Sequence, residues 1–143
     1  MEWFVRAFIK ASLAWLGLGV TLGVAMAAQP AWIVYRPAHL HMTLLGFVTM
    51  MISGVAYHVL PRFSGHPLYR RGLAGLHWAL ANLGLATMVV GFGLRPHLGA
   101  RTIPILTVGG ALSALGAYLF ILNIWRTING PAPRPTPLPV VVR

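Results

Sequence analysis

The residues that could do chemistry in this chain are its histidines. There are six, at positions 39, 41, 58, 66, 77 and 97, beside ten arginines, one lysine and a single acid, Glu2. One carboxylate excludes mechanisms built on carboxylate pairs, such as glycoside hydrolysis or two-metal phosphoryl chemistry. The absence of cysteine excludes disulfides, thiolate metal sites, iron–sulfur clusters and thioether-linked haem. His39 and His41 are two residues apart, which on a helix is about 200° of rotation. Their imidazoles therefore leave nearly opposite faces and suit two separate centres better than one ion, for which i, i+4 spacing serves. Neutral imidazole is a common axial ligand of haem iron, and a helix bundle offers the apolar slot a porphyrin needs. Interfacial histidines bonded to headgroups or backbone are the alternative reading of the same spacing. His58 and His77, both near the opposite end of their helices, form a rival pair that could ligate a haem within one bundle. His66 and His97 fall in connections.

These side chains sit between long uncharged windows. Residues 11–35, 37–61, 72–94 and 102–125 carry no formal charge, in runs of 25, 25, 23 and 24 residues. A bilayer-spanning helix needs about 20 apolar residues, so the pattern predicts an all-α integral membrane protein with four transmembrane helices. The expected spans are 8–30, 38–60, 73–94 and 103–126, within a single transmembrane domain over residues 1–129. Only 8% of residues are charged and mean hydropathy is +0.75, far from soluble-domain composition. The net charge of +10 forms no basic face or arm, so no nucleic-acid partner is expected. Pro37 fits a first helical turn and Pro61 is expected to close the second helix. An Ala-Met-Ala-Ala run ending at Ala28 also fits a leader cleavage site, although the apolar stretch before it is longer than a leader requires.

Four spans place both termini on one side. With them lie Arg6, Lys10, Arg62, Arg70, Arg71, Arg126, Arg134 and Arg143; Arg36, Arg95 and Arg101 lie opposite. The positive-inside rule puts the richer side, and both termini, in the cytoplasm. Tyr69 and Trp125 then mark the inner interface, and Trp32 and Tyr35 the outer one. Five prolines between Gly130 and Pro139 make residues 130–143 an extended cytoplasmic tail. Gly19 and Gly23, and the series Gly109, Ser113, Ala117, are small-residue stripes fit for close helix packing or an oligomer seam.

The stretch Ala38–Phe63, AHLHMTLLGFVTMMISGVAYHVLPRF, resembles the tenth helix of the catalytic subunit of haem–copper oxidases, most closely the cbb3-type branch. The resemblance rests on His39, His41, Leu45, Gly46, Gly54, Tyr57, Pro61 and Arg62, in matching order and membrane direction. It implies that His39 and His41 each ligate a different haem iron, with Gly46 in the cofactor-binding motif. It further implies that Arg95 and Arg101 of the outer loop hold haem propionates. The family subunit has about twelve helices in three pseudo-equivalent arcs, and this chain is similar to one arc. A single arc implies a homotrimer with haem at each subunit seam, His39 of one subunit facing His41 of the next. No histidines match the family's copper ligands, so haem b is the expected cofactor and copper is not. The expectation is thus an electron-carrying or gas-binding b-type haem protein of a prokaryotic inner membrane, with a quinol or cytochrome as redox partner, rather than a complete oxidase. The alternatives are a haem-dependent oxidoreductase acting on oxygen or nitric oxide, and a non-haem assembly or interaction protein.

Overall fold

The computed structural model describes residues 1–130; the proline-rich tail lies outside the described residues. Helix α1 runs Trp3–Ala28 and ends at Gln29. A 3₁₀ segment, Pro30–Tyr35, leads into the short helix α2, Arg36–His41, with Pro37 in its first turn as expected. A π-helical segment, Met42–Thr49, follows, then helix α3, Met50–Ser64. Helix α4, Arg71–Leu98, and helix α5, Ile103–Ile128, are joined by the 3₁₀ turn Gly99–Thr102. Among the described residues the structure is wholly helical, and three continuous helical stretches are long and apolar enough to cross a membrane: Trp3–Ala28, Pro30–Ser64 and Arg71–Ile128.

The four spans expected from charge gaps thus become three continuous stretches, because the last one, 58 residues long, is interrupted only by a tight turn. Gly99 makes that turn with φ +55, a conformation that costs glycine nothing. Beyond it α5 runs back along α4. Gly84 faces Ser113, Gly91 faces Leu106 and Gly109 faces Met88, so the register is antiparallel. Small residues let these backbones approach, and both predicted stripes are used here: Gly109–Ser113 against α4, and Gly19–Gly23 against Met42, Thr43 and His39.

Two prolines lie inside helices, and for Pro61 this departs from expectation. Pro61 lies inside α3, which continues to Ser64 and stops at Gly65, φ 71. Pro96 likewise lies within α4. Each stands in the last turn, so it removes one bond of the ladder only a few residues before the helix ends.

The core is aromatic and lies toward the end that carries the N-terminus. Phe4, Val5 and Phe8 of α1 pack with Met50 and Tyr57, and with Ala74, Leu85 and Ile124. At that end Glu2 pairs with Arg71 across 3.0 Å. Asn123, fully buried, receives the Arg70 N–H at 3.0 Å and donates to the Arg70 carbonyl at 3.0 Å. Thr127 receives the Tyr69 N–H at 3.0 Å. These bonds satisfy an extended backbone that apolar surroundings would otherwise leave unpaired. At the other end, Tyr35 Oη and His97 Nε2 lie 3.2 Å apart, tying the connection before α2 to the end of α4.

Gly46 is placed by packing. A β-carbon there would stand 2.6 Å from Trp15 Cβ, 2.7 Å from Trp15 Cγ and 3.0 Å from Leu85. Trp15 passes over this gap and donates its indole N–H to Asn82 of α4 at 3.1 Å. Gly46→Ala is therefore expected to lose ~1–3 kcal/mol through overpacking. Gly110→Ala, with nothing within 4 Å, is not. Thermal unfolding of the two variants in detergent checks the difference; equal midpoints would contradict the close contact.

Candidate functional site

His39 and His41 stand at the C-terminal end of α2, immediately before the π-helical segment. The wider turn of that segment is seen in Thr49, whose hydroxyl donates to the carbonyl of Leu44, five residues back, at 2.9 Å. Such widened turns are frequent at functional sites because they change which face a helix presents. Nothing in the composition of Met42–Thr49 foretold it.

The two imidazoles do leave different faces. His39 turns to α1: its Nδ1 lies 2.8 Å from the carbonyl oxygen of Gly19, and its ring fills the notch left by Gly23. His41 turns to α4, with its ring centroid 4.7 Å from that of Phe92. Its Nδ1 lies 2.8 Å from the Pro37 carbonyl oxygen of its own helix. A carbonyl oxygen can only accept, so in both rings Nδ1 must carry the proton. In the neutral form of either ring, this bond fixes the tautomer whose Nε2 lone pair is free. Metal-ligating histidines are held in just this way, by the second ring nitrogen donating to a carbonyl or carboxylate.

The rival pair is built differently. His58 Nδ1 lies 3.1 Å from the Arg62 guanidinium, which also reaches the His58 carbonyl. A guanidinium only donates, so His58 Nδ1 is an acceptor already in use. His77 is buried in an aromatic box, with Phe8 at 4.8 Å and Phe120 at 5.3 Å between centroids. Its Nδ1 shares a 3.1 Å hydrogen bond with the Tyr57 hydroxyl. The two rings have separate partners and do not share a site. Tyr57, a residue of the quoted stretch, finds its role in this bond.

Arg95 lines a cleft of about 330 Å³ with Val34, Pro37, Phe92 and Pro96. Pro37 and Phe92 are the groups that hold His41, so Arg95 stands beside the His41 site. Arg101 is exposed in the Gly99–Thr102 turn. Gly46 belongs to the Trp15 contact. No group of three or more His, Asp or Glu side chains able to hold a metal ion occurs among the described residues. The sequence reading missed the Gly19 carbonyl as the partner of His39. The signal was present in the Gly19–Gly23 spacing, which marks where a neighbouring element comes close.

No family profile matches the chain. A curated relative does: the Cbb3-type cytochrome c oxidase subunit CcoN1 of Stutzerimonas stutzeri, 26% identical over 160 aligned residues covering 90% of this chain. That alignment covers 34% of the relative, so the chain spans about a third of its length. The match supports a distant relationship to haem–copper oxidase subunit I, extending well beyond the Ala38–Phe63 stretch. With the apolar helices it supports a prokaryotic membrane protein in contact with lipid.

Proposed function

We propose that this chain is a membrane b-type haem protein, a single-arc relative of the oxidase subunit, that carries electrons through haem held by His39 and His41. The observation that carries the reading is the shared tautomer. Two histidines on opposite faces each donate Nδ1–H to a backbone carbonyl at 2.8 Å and keep Nε2 free. Interfacial histidines with no ligand have no need of two such fixed rings. His39 and His41 serve different haems, one on each side of the helix. In a closed homotrimer each seam would pair His39 of one subunit with His41 of the next, so that two imidazoles would hold each haem. Arg95, beside His41, is placed to neutralise a propionate, and Arg101 is a more distant candidate for the same task. Bound haem supplies one-electron chemistry at iron. The chain's own contribution is to fix both imidazoles, exclude water with Phe92 and the α1 notch, and hold positive charge at the cleft mouth. A quinol or a cytochrome is the redox partner on this reading.

The reading takes α4 and α5 as two separate crossings, making four, with both termini in the cytoplasm of a bacterial inner membrane. The antiparallel register and the eight-to-three distribution of basic residues support that arrangement. Reporter fusions after Arg71 and after Arg126 are expected to read cytoplasmic, and one after Arg101 to read external; an external signal at Arg71 would overturn the topology. The haem itself is tested by the visible spectrum and haem content of the purified chain. About one haem b per chain with a six-coordinate low-spin spectrum is expected from bis-imidazole ligation. A colourless protein after expression with ample haem would defeat the proposal.

A further inference from the structure

Below the His39–His41 site, the structure holds a second feature that haem ligation does not use. A cavity of about 310 Å³ opens between the second helical stretch and the α4–α5 pair. Its walls are apolar and small, with Leu45 and Met50 on one side and Gly110, Ala114 and Ala117 of α5 on another. Ala114 and Ala117 are exposed on the face of the bundle, so the cavity opens sideways toward lipid rather than toward either aqueous end. One ionisable side chain lines it, His77, which is 4% exposed.

His77 is not an ordinary buried core histidine. Its Nδ1 is engaged by the Tyr57 hydroxyl at 3.1 Å, while Nε2 has no protein partner among the described residues. The Cδ2 edge of the ring, next to Nε2, lies 3.3 Å from where a Gly116 β-carbon would stand, one residue from cavity-lining Ala117. This nitrogen is not among the fully enclosed polar atoms, so a ligand in the cavity can reach it and gain a hydrogen bond that the protein does not supply. The Tyr57 bond also makes Nε2 versatile. If the Tyr57 hydroxyl donates to Nδ1, Nε2 carries the proton and can donate to a carbonyl. If Nδ1–H donates to the Tyr57 oxygen, Nε2 can accept from a hydroxyl. Ser53 and Ser113 also line the cavity; their protons go to the Thr49 carbonyl at 2.9 Å and the Met88 sulfur at 3.8 Å. Their oxygens therefore keep lone pairs for a second donor.

We infer that this cavity is a binding site for a neutral, lipid-soluble ring that bears oxygen as carbonyl or hydroxyl, the chemistry of a quinone and its quinol, with His77 Nε2 as the anchoring hydrogen-bond partner. Lateral access suits a ligand dissolved in the bilayer. Small residues on α5 leave room for a flat ring, and the absence of a charged group in the lining excludes anionic ligands. A nitrogen that can either donate or accept matches a ligand whose oxygens do both. The inference rests on the quinol partner of the haem reading and gives it a place, while the binding itself does not require haem.

The test is direct binding of decylubiquinone to the purified full chain in detergent, read by quenching of tryptophan fluorescence and repeated on haem-free protein. Saturable binding is expected in both forms. His77→Phe keeps an aromatic ring among Phe8, Tyr57 and Phe120 but removes both nitrogens, and is expected to weaken binding about tenfold, the worth of one buried hydrogen bond. Gly110→Leu places its side chain where nothing lies within 4 Å of the new β-carbon, so the variant keeps its fold and fills the cavity. It is expected to abolish saturable binding with haem content unchanged. Wild-type affinity in Gly110→Leu, or in His77→Phe, would overturn the site. Non-saturable partitioning equal in all three proteins would overturn it too. Absence of haem with quinone binding intact would defeat only the haem reading.

Discussion

On the proposed reading, His39→Ala and His41→Ala are each expected to remove the six-coordinate low-spin haem spectrum and to leave iron able to bind carbon monoxide. The expected effect is all or none, because either change takes one of two axial nitrogens from every haem in the assembly. It is not a folding effect. His39→Ala loses a single hydrogen bond to the Gly19 carbonyl, and His41→Ala loses one within its own helix, each worth about 1 kcal/mol. Neither ring belongs to the buried core around Phe4, Phe8 and Tyr57. His58→Ala and His77→Phe serve as controls and are expected to keep the low-spin spectrum, since the two rings have separate partners, Arg62 and Tyr57, and take no part in the His39–His41 pairing. Carbon monoxide difference spectra on the four purified variants decide the matter. A low-spin spectrum surviving in either His39→Ala or His41→Ala would remove that histidine from the ligand set.

The second large effect is expected at a residue with no chemistry of its own. A β-carbon at Gly23 would stand 3.0 Å from Cε1 and 3.4 Å from Nδ1 of His39. Gly23→Leu is therefore expected to push the imidazole out of its notch and break the bond to the Gly19 carbonyl while leaving the His39 side chain in place. Loss of such an orienting bond typically lowers metal affinity about 10- to 100-fold. Haem titration of apoprotein measures it. Gly17→Leu is the matched control, on the same helix and with nothing within 4 Å of its β-carbon. Equal haem affinity in the two variants would mean that the notch does not seat a ligand.

Much of this architecture was legible in the residues, and the gaps have physical causes. Charge-free windows locate helices well because the bilayer tolerates no charge at its centre, and α1 and α5 lie within a few residues of expectation or extend it by a turn or two. Helix ends were less legible. Pro61 read as a terminator, yet α3 runs on to Ser64, and Gly65 ends it through positive φ, as Gly99 ends α4. Spacing alone placed His39 and His41 on opposite faces. It could not say which helix each would meet, because that depends on the small-residue notch at Gly19 and Gly23 and on Phe92, far apart in sequence. Gly46 entered the reading through the motif, and its neighbour Trp15 shows it to be a packing residue. The π-helical segment has no sequence signature in Met42–Thr49. The His77 cavity was invisible because it is made by what is missing: small residues on α5 opposite Leu45 and Met50.

The central claim, that His39 and His41 ligate haem across subunit seams, is tested most directly by mixing. His39→Ala and His41→Ala chains are given different tags, co-expressed, and trimers carrying both tags are isolated. By cyclic symmetry every mixed trimer has a seam where the intact His39 of one variant faces the intact His41 of the other. The account predicts that such trimers regain low-spin haem at that seam, while trimers of either variant alone show none. Mixed trimers without any low-spin haem would contradict it, because a haem contained within one subunit cannot be rescued by its neighbour.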